Sequence, residues 1–155
     1  LSGLMHDVGK LLMLQRAADK YEEVVTLVKR TGIPFVEAES QDFIFNHCEV
    51  GVLIAERWRF ADEVRDVIAT HHTVPVTDSA PSVAKLVRVA DGIAHILALG
   101  VGYQFGQLKE HFEELLAPAL PSCGIPSEAR RDKLEQYARL FAEEYDLYAG
   151  RQSNV

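Results

Sequence analysis

Apolar residues recur at spacings of three and four along almost the whole chain, while strand-like alternation is almost absent. Leu1, Leu4, Met5, Val8, Leu11 and Leu12 form the first stripe. Tyr21, Val24, Val25 and Val28 form a second, behind a capping box of Asp19 and Glu22 and stopped by Gly32 and Pro34. A short helix follows over about 34–45. Asn46 with Glu49 reads as another capping box, opening a helix through Val50, Leu53, Ile54 and Trp58. Val64, Val67, Ile68 and His71 mark the next helix, and two prolines make Thr73 to Pro81 a loop. Val83, Leu86, Val87, Ala90, Ile93, Ala94 and Leu97 predict a long buried helix ending near Gly100 and Gly102. Leu108, Phe112, Leu115 and Leu116 form a further stripe, closed by Pro118 and Pro121. Ser127 caps a last helix with Leu134, Tyr137, Ala138, Phe141 and Tyr145, whose aromatic members read as core. Val74 to Thr77 is too short to count as a strand. The expected fold is all-α, an irregular multi-helix bundle of about seven helices without repeats.

Composition removes several function classes. The chain has 155 residues, 48% hydrophobic and 25% charged, which suits one globular domain and excludes the disordered class. A net charge of -7 without a basic cluster argues against DNA or RNA as a partner. No apolar run approaches the roughly 18–20 residues of a membrane span. The most apolar stretch, 83–101, is broken by Lys85, Arg88, Asp91 and His95. Two cysteines, Cys48 and Cys123, are too few for a disulfide framework, and a reduced cytoplasmic pair is expected. The first residue, Leu1, already reads as helix interior. The expectation is a trimmed chain whose upstream helical segment helps complete the site.

Several polar residues sit awkwardly within this pattern. On a wheel of about 100° per residue, His6 and Lys10 lie opposite the first apolar stripe and Asp7 at its edge, which reads as an exposed polar face. Gly9 argues the other way. A glycine inside a helix costs about 1 kcal/mol relative to alanine and is kept more easily where something approaches the backbone. Asp91 shares a helix face with Val87 and Ala94, and a buried carboxylate is expensive unless paired or bound to a cation. Two readings stand: a satisfied Asp91–His95 pair, or Asp91 on a metal with His95 behind it. His71 and His72 end a helix, suiting either the helix dipole or a metal that prefers nitrogen ligands. His47, in the first turn of its helix, is expected to be neutral, the form that binds metal. His111 is assigned no role.

The run Gly3-Leu4-Met5-His6-Asp7-Val8-Gly9-Lys10 resembles the His-Asp signature of the HD metal-dependent phosphohydrolase superfamily. His47-Cys48-Glu49-Val50-Gly51, Glu56-Arg57-Trp58 and Ile68-Ala69-Thr70-His71-His72 resemble the HDOD domain, the HD-related output domain of bacterial signalling proteins. Leu86-Val87-Arg88-Val89-Ala90-Asp91 completes the order. The resemblance spans about Leu1 to Gly102, leaving 103–149 as additional C-terminal helices packed on the core and 150–155 as a frayed tail.

The resemblance implies an HD-type helical fold, a bacterial cytoplasmic setting and signalling domains or proteins as partners. It implies His6 and Asp7 as metal ligands, with Asp7 bridging two ions, and Asp91 as the distal carboxylate. His47 and one or both of His71 and His72 would hold a second ion, and Lys10 would face a substrate phosphate. One or two divalent ions, drawn from Fe, Mn, Zn, Ni or Mg, are the implied cofactor, and Asp7 and Lys10 the implied catalytic residues. Three features depart from the active relatives. The superfamily's leading histidine is absent, Thr73 stands where the branch that degrades cyclic dinucleotides has an acid, and that branch's Gly-Tyr-Pro loop is missing. The expected function is a non-catalytic regulatory output module that retains a metal-binding constellation. The alternative is an active phosphohydrolase of nucleotide or cyclic-dinucleotide phosphoesters. A nucleotide bound without turnover would combine the two. All three readings require these distant side chains to gather in one pocket, with Asp91 within roughly a helix diameter of His6.

Overall fold

The computed structural model describes residues 1–76 and 82–96, and beyond them 121, 126–129, 132, 133, 135–137, 139, 140 and 143. Among the described residues the chain is all-α, without strands. Among the described residues seven α-helices have defined bounds: α1 (Ser2–Met5), α2 (Val8–Arg16), α3 (Ala18–Thr31), α4 (Phe35–Asp42), α5 (His47–Arg57), α6 (Asp62–Thr70) and α7 (Val83–Ile96); residues 132, 133, 135–137, 139, 140 and 143 are helical as well. A 3-10 turn covers Ser127–Ala129. The stripe of 108–116, His111, the C-terminal end expected near Gly100 and Gly102, and the 150–155 tail lie outside the described residues, as do Cys123, Leu134, Ala138, Phe141 and Tyr145. Tyr137 is described and is 37% exposed, so it is not the core residue its stripe suggested.

Local chemistry sets three of the helix ends. The chain leaves α3 through Gly32 in the left-handed region (φ 70°), where its amide bonds Val28 O at 2.8 Å. The Asn46–Glu49 capping box is complete. Asn46 Oδ1 accepts from the Cys48 and Glu49 amides, and the Glu49 carboxylate accepts from the Asn46 amide at 2.8 Å. Ser82 Oγ accepts the Lys85 amide at the start of α7. The Asp19–Glu22 box does not form. The helix already begins at Ala18, with Ala17 at its cap and no side chain bonding the free amides.

The first stripe also divides. Helix periodicity runs through Leu1 to Leu12, yet the helix breaks at His6 and Asp7. The break rotates the two halves apart, so Val8 is buried while Leu4 is 82% exposed. Leu11, Leu53 and Trp58 stay exposed and help line a groove of about 600 Å³ between α2 and α5.

Two apolar clusters hold the described helices together. Val8, Ala55, Val64 and Ile68 join α2, α5 and α6. Val24, Val28 and Ala38 join α3 to α4. Helices α2 and α5 cross closely at Gly9 and Gly51. A Cβ on Gly9 would overlap the His47 carbonyl oxygen and stand 2.9 Å from the Gly51 amide nitrogen. This is the close backbone approach expected of Gly9, and it sets Asp7 beside the start of α5. Arg88 bonds Val74 O at 2.6 Å, tying α7 to the chain that leaves α6.

A candidate metal centre at the break between α1 and α2

His6 and Asp7 form the joint between α1 and α2, with Asp7 at φ -101°, ψ 13°, a bridge conformation common at active sites. The joint turns both side chains inward, so His6, Asp7 and Lys10 do not form the exposed polar face of a continuous helix. His6 Nδ1 donates to Gly3 O at 2.7 Å, leaving Nε2 to face the pocket. Lys10 Nζ bonds Asp7 Oδ2 at 2.7 Å and lies 4.9 Å from the Phe35 ring centre.

His47 enters from the first turn of α5 and is fully buried. Its Nδ1 donates to Glu39 Oε2 at 2.7 Å, and its backbone amide donates to the same oxygen at 2.8 Å. Tyr21 OH donates to Glu39 Oε1 at 2.8 Å. Burial alone would raise the Glu39 pKa, but these donors hold it below its usual value. Burial keeps His47 neutral, with its pKa lowered, as expected of this histidine. With Nδ1 engaged, the His47 Nε2 lone pair faces Asp7 Oδ1 at 3.3 Å and His72 Nε2 at 3.1 Å.

His71 caps α6. Its Nδ1 lies 3.1 Å from both Val67 O and Ile68 O, and carbonyls only accept, so Nδ1 carries the proton. Its Nε2 faces Asp7 Oδ1 at 3.6 Å. His72 packs on His71, ring centres 4.1 Å apart. Burial first, and then the neighbouring imidazoles, push its pKa down to about 2. From α7, Asp91 Oδ1 stands 3.7 Å from His6 Nε2 and 3.6 Å from His95 Nε2. Burial would raise Asp91, but the imidazoles of His6 and His95 hold it low. Burial would lower His6, but Asp91 and Asp7 raise it above its usual value. Burial would likewise raise Asp7, but the histidines and Lys10 hold it far below the carboxylate range.

The donor set fits a divalent cation. His6 Nε2, Asp7 Oδ1 and His71 Nε2 are buried without a hydrogen-bond partner, and buried polar atoms seldom stay unpaired without a reason. The nitrogen–oxygen separations among His6, Asp7, His47, His71 and Asp91, 3.3–3.7 Å, are at or slightly above the spacing of about 3.0–3.5 Å between neighbouring ligands bound at ordinary metal–nitrogen lengths. Ligand atoms of His6, Asp7 and His71 lie within 4.8 Å of one another, as do those of His47, Cys48, His71 and His72. His71 belongs to both groups. Imidazole and carboxylate donors suit first-row divalent metals.

The pocket thus gathers His6, Asp7, Lys10, His47, His71, His72 and Asp91 from five helices and their joints. Glu39, Tyr21 and Cys48 were not anticipated. Glu39 lies four residues after Phe35 and beside Ala38, on the buried face of α4. A carboxylate in an apolar stripe is the signal that singled out Asp91, and it was there to be read at Glu39. Tyr21 passed as an ordinary stripe residue, and Cys48 as a reduced thiol.

No curated protein and no solved structure matches the chain. The family model of the HDOD domain matches residues 1–74, which hold the His-Asp joint, His47 and the His71–His72 pair; Asp91 and His95 lie beyond that segment. Residues 1–74, just under half of the chain, are thus similar to the HDOD domain, the HD-related output domain.

Proposed function

We propose that this domain is a regulatory output module of bacterial signal transduction whose state depends on one or two divalent cations held at the α1–α2 break. One observation carries the reading: three imidazoles each commit Nδ1 to a carbonyl or carboxylate and turn Nε2 toward Asp7. This is the arrangement by which an outer partner fixes the tautomer of a metal-ligating histidine. His6, Asp7 and Asp91 would hold one ion, and His47, His71 and His72 the other, with Asp7 between them. A bound cation would supply positive charge and Lewis acidity. Joining Asp7 to residues from α5, α6 and α7 would stiffen the α1–α2 break and fix the helix faces that partner signalling domains or proteins read. Such a switch can move only as far as the cation's preference for one state over the other. The setting would be the cytoplasm, and among the described residues no helix is long and apolar enough to cross a membrane.

Thr73 supports the regulatory reading over the hydrolytic one. It stands where the degrading branch has an acid, and its hydroxyl bonds Thr70 O at 3.3 Å on the exposed side. The second reading, hydrolysis of nucleotide or cyclic-dinucleotide phosphoesters, has its own support. Asp7 is 33% exposed with the Lys10 ammonium on it, which places a cationic group for phosphate at the mouth of the pocket. The test is melting of the full chain with and without manganese, zinc or chelator, beside a phosphodiesterase assay. The regulatory reading predicts a metal-dependent rise in Tm that Asp7→Ala removes, without turnover. Hydrolysis abolished by Asp7→Ala favours the second reading, and a Tm indifferent to metal defeats both.

A further inference from the structure

Cys48 follows His47 in the first turn of α5 and is buried. Its Sγ and a ring nitrogen from each of His47, His71 and His72 all lie within 4.8 Å of one another. A buried thiol is ordinarily a small apolar filler. Here its neighbours include three imidazoles, and one of them, His71, is almost completely buried with Nε2 unpartnered. The donors also divide by hardness. Asp91 stands beside His6, the sulfur is grouped with the other three histidines, and Asp7 reaches both sides. Thiolate favours zinc and iron(II) over magnesium or manganese.

We propose that Cys48 is a metal ligand, giving a thiolate to the cation held by His47, His71 and His72, so that this half of the pocket selects a thiophilic divalent metal. The inference rests on the metal-centre reading above and adds a ligand and a metal class to it. On binding, the S–H bond breaks, its proton passes to solvent, and the sulfur lone pair forms the metal–sulfur bond. No oxidant or reductant takes part.

Cobalt(II), loaded into the full chain as a spectroscopic stand-in for zinc, tests this. The expected result is a near-ultraviolet thiolate-to-cobalt charge-transfer band in the wild type and in Cys123→Ser. The band should vanish in Cys48→Ser and Cys48→Ala while cobalt still binds through the remaining donors. The chain has two cysteines, so a band that survives Cys123→Ser assigns the sulfur to Cys48 even if the Cys48 variants fold poorly. Bound cobalt without the band, or a band lost in Cys123→Ser, overturns the thiolate ligand and leaves the metal centre standing. A chain that takes up no cobalt overturns both.

Discussion

The two sides of the His-Asp pocket are built differently. On the α5 side, His47 is locked by Glu39, Glu39 by Tyr21, and all of them sit in a region drawn together by the crossing of α2 and α5 at Gly9 and Gly51. On the α7 side, Asp91, His6 and His95 meet at 3.6–3.7 Å, too far for hydrogen bonds. The α5 side is fixed by short hydrogen bonds, while the Asp91 contacts on the α7 side are longer. A domain built this way would keep one half of its site fixed and use the other to register occupancy.

The largest effect is expected at Glu39. Glu39→Ala strands the His47 ring and amide protons and the Tyr21 hydroxyl in a buried space, so chemical denaturation should show a loss of about 3–5 kcal/mol. Glu39→Gln should retain more stability yet weaken metal binding by about 10–100-fold in a calorimetric titration. Gly9→Ala comes next. Its methyl group would meet backbone atoms of His47 and Gly51, which cannot swing away as a side chain can. A loss of about 1–3 kcal/mol is expected, with weaker metal binding as Asp7 is pushed from His47. Asp91→Asn should cost less stability than Glu39→Ala in the metal-free chain, because Asp91 meets His6 and His95 at 3.6–3.7 Å, whereas Glu39 accepts hydrogen bonds of 2.7–2.8 Å. If Asp91→Asn proves as costly as Glu39→Ala, the contrast between the two sides is gone.

The smallest effect is the pH dependence of the metal-free chain. His47, His72 and His95 have pKa values lowered from the usual 6.5, so the unfolded chain binds more protons as pH falls below that value. Stability should therefore fall on acidification below about 6.5. His6 runs the other way. Its pKa is raised, so its contribution is full below about 6.5 and is lost as pH rises through its folded value. Melting from pH 5 to 8 should show both losses. Asp91→Asn, which removes a carboxylate that raises His6, should flatten the alkaline loss, and by lowering His95 and His72 further it should deepen the acid one.

Much of this pocket was legible in the sequence. Asn46 and Glu49 announced the start of α5, Gly32 the end of α3, and Gly9 the close approach of another backbone. Asp91 was flagged because a carboxylate in an apolar stripe needs a partner. The first helix misled because Leu1 to Leu12 carries an unbroken helical period, and periodicity does not reveal a joint at His6 and Asp7 that turns polar groups inward. The same limit hid the role of Tyr21: its stripe gives the face it occupies, but not the carboxylate its hydroxyl meets across from α4. Glu39 could have been found by the rule that found Asp91.

The most direct test is anomalous X-ray scattering from crystals of the full chain grown with zinc or manganese. The account predicts a peak bounded by His71 Nε2, His6 Nε2 and an Asp7 oxygen, at roughly 2.0–2.2 Å from its ligands. A pocket without a peak, in which these same atoms hydrogen-bond one another or ordered water, would contradict it.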